Sequence, residues 1–241
     1  MSILIDNGND WDHDGHCDIE GWFVDKDGYH RPVIRRVESE KVKKALGAKY
    51  PPFDVPGYFD MNGSLGKVEL DSLYTYTLND TNDDLSSPNL NSYLRKGLKN
   101  DKEKDKRIRE IDYLINSSIL KKDLNVFRGI SMVRGKEHVE ELINIKEGAI
   151  YYDHGFTSTS YSQEIAIGYG LEKSKDMIFL DIRLKKGTKG MPLFEWDKTS
   201  RKNEYEILLK RGQKFKVEEK KIAKNGDKTI VYIRLRSMVL W

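Results

Sequence analysis

The 241 residues contain one cysteine, Cys17, so no intrachain disulfide can form and thiol content gives no sign of an oxidising compartment. The opening residues, MSILIDNGND, lack the basic stretch and the apolar run of a Sec signal. The chain is therefore expected to be made in the cytoplasm, with any export by another route. No segment is apolar enough to span a bilayer, so a membrane is not expected among its partners. Net charge is scarce as well: 42 basic residues against 39 acidic ones leave +3, which says little about partners. No internal repeat is present.

What remains is the composition of a soluble, highly charged globular protein, 38% hydrophobic and 34% charged, long enough for a real core. Charge is uneven along it. Residues 1–30 are rich in Asp, whereas residues 183–221 are dense in Lys and Arg, a segment that suits either an anionic ligand or partner or a solvated surface. Within DWDHDGHCD, Asp10, Asp12, Asp14 and Asp18 are spaced so that alternate oxygens and a Gly turn could wrap a calcium ion. An EF-hand loop needs an acid at its twelfth position, which counting from Asp10 is Gly21, with Glu20 one short. A turn-rich polar segment is the competing reading, and no metal is expected to serve catalysis.

GWFVDKDGYHRPVI reads as a hairpin around Asp27-Gly28. Residues 36–123 read as mostly helical. DKRIREIDYLINSSIL sets Ile108, Ile111, Leu114, Ile115 and Ile119 on one stripe. SPNLNSYLRKGL is a shorter helix with Ser86 or Ser87 as cap, Pro88 in its first turn and Gly97 at its end. From Leu124 onward short β-rich runs (NVFR, GFTSTS, MIFLDIRL, EYEILL, KFKVEE and TIVYIRLRSMVLW) are interrupted by two helices near 136–145 and 162–172. Helices first and strands later indicate an α+β fold, with residues 1–35 as an N-terminal extension and 36–241 as one domain.

Several polar residues sit on these strands. Arg128 ends an apolar run, Ser158, Thr159 and Ser160 follow Gly155-Phe156, and NEYEILL places Glu204 and Glu206 two apart. A continuous strand would point both carboxylates to one face, with Tyr205 and Ile207 on the other. Singly, each has a plain explanation: an arginine paired with a surface acid, an edge strand, or two acids on a solvent face. Their order and spacing together carry more.

That combination resembles the arginine, Ser-Thr-Ser, Glu-x-Glu class of bacterial exoenzyme-type mono-ADP-ribosyltransferases, including the catalytic domain of clostridial actin-modifying binary toxins. The similarity runs over roughly residues 70–220, through LNSYLR, LNVFRG, GFTSTS, LDIRLKKGTKGM and EYEILLKRGQKFKV. It implies two packed, mostly antiparallel sheets flanked by a helical portion, with NAD+ as co-substrate. Glu206 would hold the ribose and stabilise the cation formed as nicotinamide leaves, and Ser158 would orient it. Arg128, Asn91 and Arg95 would meet the diphosphate side, with the Gly129 main chain and the Tyr169 ring on nicotinamide. Lys173 would be the basic residue further along. Glu204 would orient and help deprotonate an attacking guanidinium, making protein arginine the leading acceptor. Residues 194–203 would form the acceptor-recognition loop, in which Trp196, Lys198, Arg201 and Lys202 stand out. The actin-modifying toxins tend to place an aromatic close before the acidic pair, where this chain has Arg201, which weakens any inference of actin as target.

The resemblance also implies what the chain lacks. Binary toxins carry a noncatalytic docking domain before the enzyme, and this chain has no room for one. A short effector, an injected phage protein and the enzymatic end of a processed polypeptide stay open. NAD+ glycohydrolase activity and a non-arginine or nucleic-acid acceptor are the alternatives, with a nonenzymatic binding module least favoured.

Overall fold

From Leu124 onward the alternation of apolar and polar residues is realised as a sheet. The computed structural model describes residues 5–6, 22–24, 30–32, 34–35, 59–61, 67–77, 82–132, 136–171, 174, 176–193, 205–225 and 228–239. Small pairings come first. Strand β1 (Ile5–Asp6) lies parallel to β4 (Ile34–Arg35), and β2 (Trp22–Val24) forms the expected hairpin with β3 (His30–Pro32). Strand β5 (Phe59–Met61) pairs with β6 (Ser118–Leu120). The hairpin turn at Asp27-Gly28 lies outside the described residues, as do Asp10, Asp12, Asp14 and Asp18.

The main sheet comprises β7 (Leu124–Ser131), β8 (Ile150–Tyr152), β9 (Thr157–Ser160), β10 (Met177–Leu184), β11 (Gly190–Pro192), β12 (Glu206–Leu209), β13 (Lys214–Asn225) and β14 (Lys228–Ser237). Their order is β11-β12-β9-β7-β10-β14-β13-β8, antiparallel except for the parallel pair β10/β14. One joint in this sheet is thin. Strands β7 and β9 share a single registered pair, Phe127 with Ser160, so a three-stranded and a five-stranded arm meet there and diverge. Both arms line one core: Ile207 and Leu209 from the first and Val126, Leu180, Val231 and Leu235 from the second are at most 2% exposed.

Five helices are described: α1 (Lys67–Thr77), α2 (Ser87–Arg95), α3 (Lys102–Asn116), α4 (Lys136–Asn144) and α5 (Gln163–Leu171). Asp101 caps α3 by accepting from the Glu103 and Lys104 N–H groups at 3.2 and 3.0 Å, satisfying donors that have no partner inside the helix. The stripe Ile108, Ile111, Leu114 and Ile115 is buried, together with Leu73 and Tyr76 of α1, Leu90 of α2 and Leu208 of β12. Ile119, expected on that stripe, is instead in β6: the helix closes at Asn116 and Ser117. The three residues Ser118–Leu120 gain sheet pairing with β5 that another half-turn of helix would forgo. Helix α2 begins with Pro88 in its first turn and is followed by Gly97 at φ +63°, the left-handed turn that glycine adopts without steric penalty.

Two helices clamp the five-stranded arm. Val139 and Leu142 of α4 join the main core, while Ala166 and Ile167 of α5 pack with Met177, Phe179 and Ile230. Helix α5 approaches β7 so closely that a Cβ added at Gly129 would lie 1.8 Å from the Ala166 carbonyl oxygen. No side chain fits at position 129 unless that helix moves.

Candidate active site

The site forms where the two arms diverge. Glu206 is the first residue of β12, directly opposite Ser160 of β9, and Ser160 is the residue paired to Phe127 of β7. Glu206 is only 4% exposed. Ser158 lies on the same face as Ser160, opposite Leu208, which makes it the diagonal neighbour of Glu206. The Ser160 hydroxyl accepts the Ser162 N–H at 3.0 Å and so helps turn the chain into α5.

The strand expected through residues 203–209 is interrupted. Strand β12 starts at Glu206, and Tyr205 precedes it at φ +49°, a left-handed conformation that costs a non-glycine residue about 1–2 kcal/mol. The Tyr161 N–H donates to the Tyr205 carbonyl at 3.3 Å and the two rings sit 4.7 Å apart, holding that conformation. Strand alternation therefore does not carry across position 205. Glu204 lies outside the described residues, as do Lys173, Trp196, Lys198, Arg201 and Lys202.

Across the cleft, the cations converge on a residue that sequence reasoning missed. The Asp153 side chain is fully buried and receives Arg95 through Nε at 2.8 Å and Nη2 at 2.7 Å, a two-pronged pairing that fixes the guanidinium plane. Its Oδ1 also accepts the Gly155 N–H at 2.9 Å. Arg128 Nη1 lies 3.8 Å from Asp153 Oδ2, and that nitrogen is buried without a hydrogen bond among the described residues. Burial opposes ionisation of Asp153, but the Arg95 hydrogen bonds and charge, with Arg128 and His138 behind them, hold its carboxyl below the usual range. One carboxylate thus serves two guanidinium groups, leaving positive charge over at the mouth of the cleft.

His138 of α4 places Nε2 3.7 Å from Asp153 Oδ2 and 3.2 Å from the Tyr151 hydroxyl. Burial is the main force pushing it down to about 4; Asp153 pulls the other way, and the two arginines add to the fall. The sign follows: the unfolded chain takes up a proton near 6.5 that the folded chain refuses until about 4, so stability falls as pH drops through that window. The loss is expected to reach about 3 kcal/mol by pH 4. Thermal unfolding of the His138→Gln variant between pH 7 and 4 should show a flatter profile than the parent. A parallel profile would assign the acid sensitivity to other groups.

Asn91 is 8% exposed and has both ends of its amide engaged: Nδ2 donates to the Tyr76 hydroxyl at 2.9 Å, and Oδ1 accepts the Phe156 N–H at 2.8 Å. It ties α1 and α2 to the turn that leads into β9. Burial pushes the Tyr76 hydroxyl well above its ordinary value, and the negative charge of Glu206 adds to that. Tyr169 stands on α5 with its side chain 42% exposed, and Gly129 lies beneath that helix. The structure therefore gathers Asn91, Arg95, Arg128, Gly129, Ser158 and Glu206 around the divergence of β7 and β9, together with Asp153, His138 and Tyr76. Among the described residues no cluster of His, Cys, Asp or Glu could hold a metal ion, and no helix is long and apolar enough to cross a membrane.

This architecture is shared. A family model described as ADP-ribosyltransferase exoenzyme matches residues 53–238. Plx2a, an ADP-ribosyltransferase toxin from Paenibacillus larvae, superposes with a TM-score of 0.57 at 22% identity, over 82% of this chain and 96% of its own. Exoenzyme S from Pseudomonas aeruginosa, solved with a human 14-3-3 protein and carba-NAD, gives 0.55 at 19% identity over 80% of each chain. The enzymatic component C2-I of the Clostridium botulinum C2 toxin gives 0.54 at 21% identity, over 72% of this chain and 43% of that one. No curated protein matches the chain by sequence.

Proposed function

The chain belongs to the ADP-ribosyltransferase exoenzyme family, and from that premise we propose that it transfers one ADP-ribose from NAD+ to an arginine side chain of a target protein. The observation that carries this reading is the charge arrangement across the diverging arms. Arg128 keeps a buried Nη1 donor without a hydrogen bond among the described residues on one side, and Glu206 begins β12 on the other. Cleavage of the nicotinamide–ribose bond releases a neutral base and leaves positive charge on the ribose. A carboxylate already held by the fold stabilises that charge without reorganising as it appears. Glu206 fills this role, with Ser158 as its neighbour on the same face.

On the diphosphate side, Arg128 supplies its spare donor and Arg95 its remaining guanidinium edge. Asp153 fixes the Arg95 plane, and its charge, 3.8 Å from Arg128 Nη1, offsets the repulsion between the two cations. Asn91, with both amide ends engaged, acts mainly by positioning the turn before β9. Main-chain groups at Gly129, the Tyr169 ring and Lys173 complete the nicotinamide side. The acceptor enters along residues 194–203, with Trp196, Lys198, Arg201 and Lys202 as recognition residues. Glu204 takes the proton from the attacking guanidinium nitrogen as the new nitrogen–carbon bond forms.

Cleavage and acceptor choice are thus assigned to different glutamates. Glu204→Gln is expected to lower transfer to arginine by about 10²-fold or more, the usual weight of a general base, while nicotinamide release to water stays within a few-fold. Labelled NAD+ with an arginine-rich protein and free nicotinamide assayed in parallel distinguish the two. Equal loss of both activities would remove Glu204 from acceptor activation; undiminished transfer would point to an acceptor other than arginine.

A further inference from the structure

The face of the five-stranded arm opposite Arg128 carries two neighbouring rows of charged residues that are built on different plans. In the inner row Asp181, Arg234 and Glu219 are in register on β10, β14 and β13, so the signs alternate. They are joined: Arg234 Nε meets Asp181 at 3.1 Å and Arg234 Nη1 meets Glu219 at 3.4 Å. In the outer row Arg183, Arg236 and Lys216 are in register on the same three strands, so three cations stand side by side. Like charges directly opposite on paired strands are unfavourable. Only Arg236 is offset, by Glu218 at 3.0 Å, a residue in the register shift between Val217 and Glu219. Arg183 and Lys216 have no ion-pair partner among the described residues, and all three cations are exposed.

The row continues at both ends. Asn125 on β7 is registered with Arg183, and Ile150 on the edge strand β8 is registered with Lys216. Ile150 and its same-face neighbour Tyr152 are 45% and 41% exposed. A concavity of about 300 Å³ lies at the Arg183–Arg236 end of the row, lined by Asp123, Asn125, Arg183, Lys185, Glu218 and Arg236.

We propose that this face is a docking surface for an acidic protein segment, separate from the NAD+ cleft. The inner row shows the same three strands neutralising their charges where nothing external supplies a counter-charge. The outer row leaves that repulsion in place, and an incoming run of carboxylates relieves it. The exposed Ile150 and Tyr152 at one end give the apolar and aromatic contact typical of protein partners. Asp123 and Glu218 within the concavity are each paired, with Lys185 and Arg236, so the charge left without an ion-pair partner on the row among the described residues is that of Arg183 and Lys216, fewer cations than a phosphate backbone meets on its binding surfaces. Parity along β7 puts Asn125 and Arg128 on opposite faces, so a partner seated here leaves the cleft open.

The test uses the full chain and a fluorescent 20-residue poly-glutamate peptide, with a single-stranded 20-mer oligonucleotide and phosphatidylserine-containing vesicles as alternative probes. Arg183→Glu with Lys216→Glu is expected to weaken peptide binding at least about tenfold and to flatten its salt dependence. Nicotinamide release from NAD+ should not change. The pair Arg183→Gln and Lys216→Gln, which introduces no new charge, should weaken binding in the same direction. The proposal is overturned if the parent does not bind the peptide, if the variants bind it equally well, or if the oligonucleotide or vesicles bind the row more tightly. Loss of nicotinamide release in the glutamine pair would overturn the separation from the cleft, whereas failure of the transferase reading would leave peptide binding intact.

Discussion

Glu206→Gln is expected to reduce nicotinamide release and arginine transfer together, by on the order of 10²–10³-fold, because in the proposed reaction the residue acts before any acceptor is engaged. The substitution preserves shape and hydrogen-bonding reach and removes only the charge. Glu206 is 4% exposed at the start of a strand whose next three residues, Ile207, Leu208 and Leu209, are completely buried, so the amide stays where the carboxylate was. Steady-state rates at saturating NAD+ isolate the bond-breaking contribution from binding. A rate within tenfold of the parent would show that the ribose cation is stabilised elsewhere.

The second large effect is expected from a residue that does not touch the ribose. Asp153→Asn removes the carboxylate that Arg95 grips at 2.8 and 2.7 Å and that Arg128 approaches at 3.8 Å. Breaking a fully buried ion pair from one side costs about 3–5 kcal/mol; the Arg95 side chain is 29% exposed and that of Arg128 17%, so the loss here is expected at or below the lower end of that range. Two guanidinium groups would then face each other with no anion between them. Thermal unfolding should register the loss of stability. Calorimetry on the folded variant should show NAD+ affinity lowered at least about tenfold, since Arg95 must be ordered by the ligand itself. Unchanged affinity in a destabilised protein would reduce Asp153 to a folding element. In the parent the Asp153 contribution is present above the unfolded carboxylate range near 3.8 and is lost as pH falls through its lower folded value. That window lies below the one assigned to His138.

Much of the fold was legible because periodicity is local. The stripe of α3, the proline start and glycine stop of α2, the first hairpin and the six longest strands of the β-rich half follow from neighbours in sequence. The three-residue strands β8 and β11 were not, since their pairing comes entirely from Lys214–Lys216 and Ile207–Leu209 far along the chain. Ile119 shows the same limit in miniature, its place on a helical stripe being overridden by a strand partner 59 residues earlier, Asp60. In the candidate site, Arg128, Ser158 and Glu206 stand out by order and spacing, and the structure sets Ser158 diagonal to Glu206. Asp153 does not, although a second partly buried arginine, Arg95, calls for a counter-charge: the two lie 58 residues apart, and nothing near Asp153 in YYDHGF marks it as the partner. Tyr205 defeated the strand reading because a left-handed residue is visible only in the backbone.

The last strand in chain order, β14, lies inside the sheet, between β10 and β13, rather than at an edge. This sets a timetable. A chain emerging amino end first, from a ribosome or through a narrow conduit, exposes the apolar flank of β10 until residues 228–237 arrive to cover it. Pairing β10 with β14 joins partners that are all 53 residues apart, from Met177 with Ile230 to Arg183 with Arg236. The five-stranded arm, and with it the positions of Arg128 and Asp153, therefore settles late. Until residues 228–237 have paired, the cleft that holds Arg128 and Asp153 is not complete.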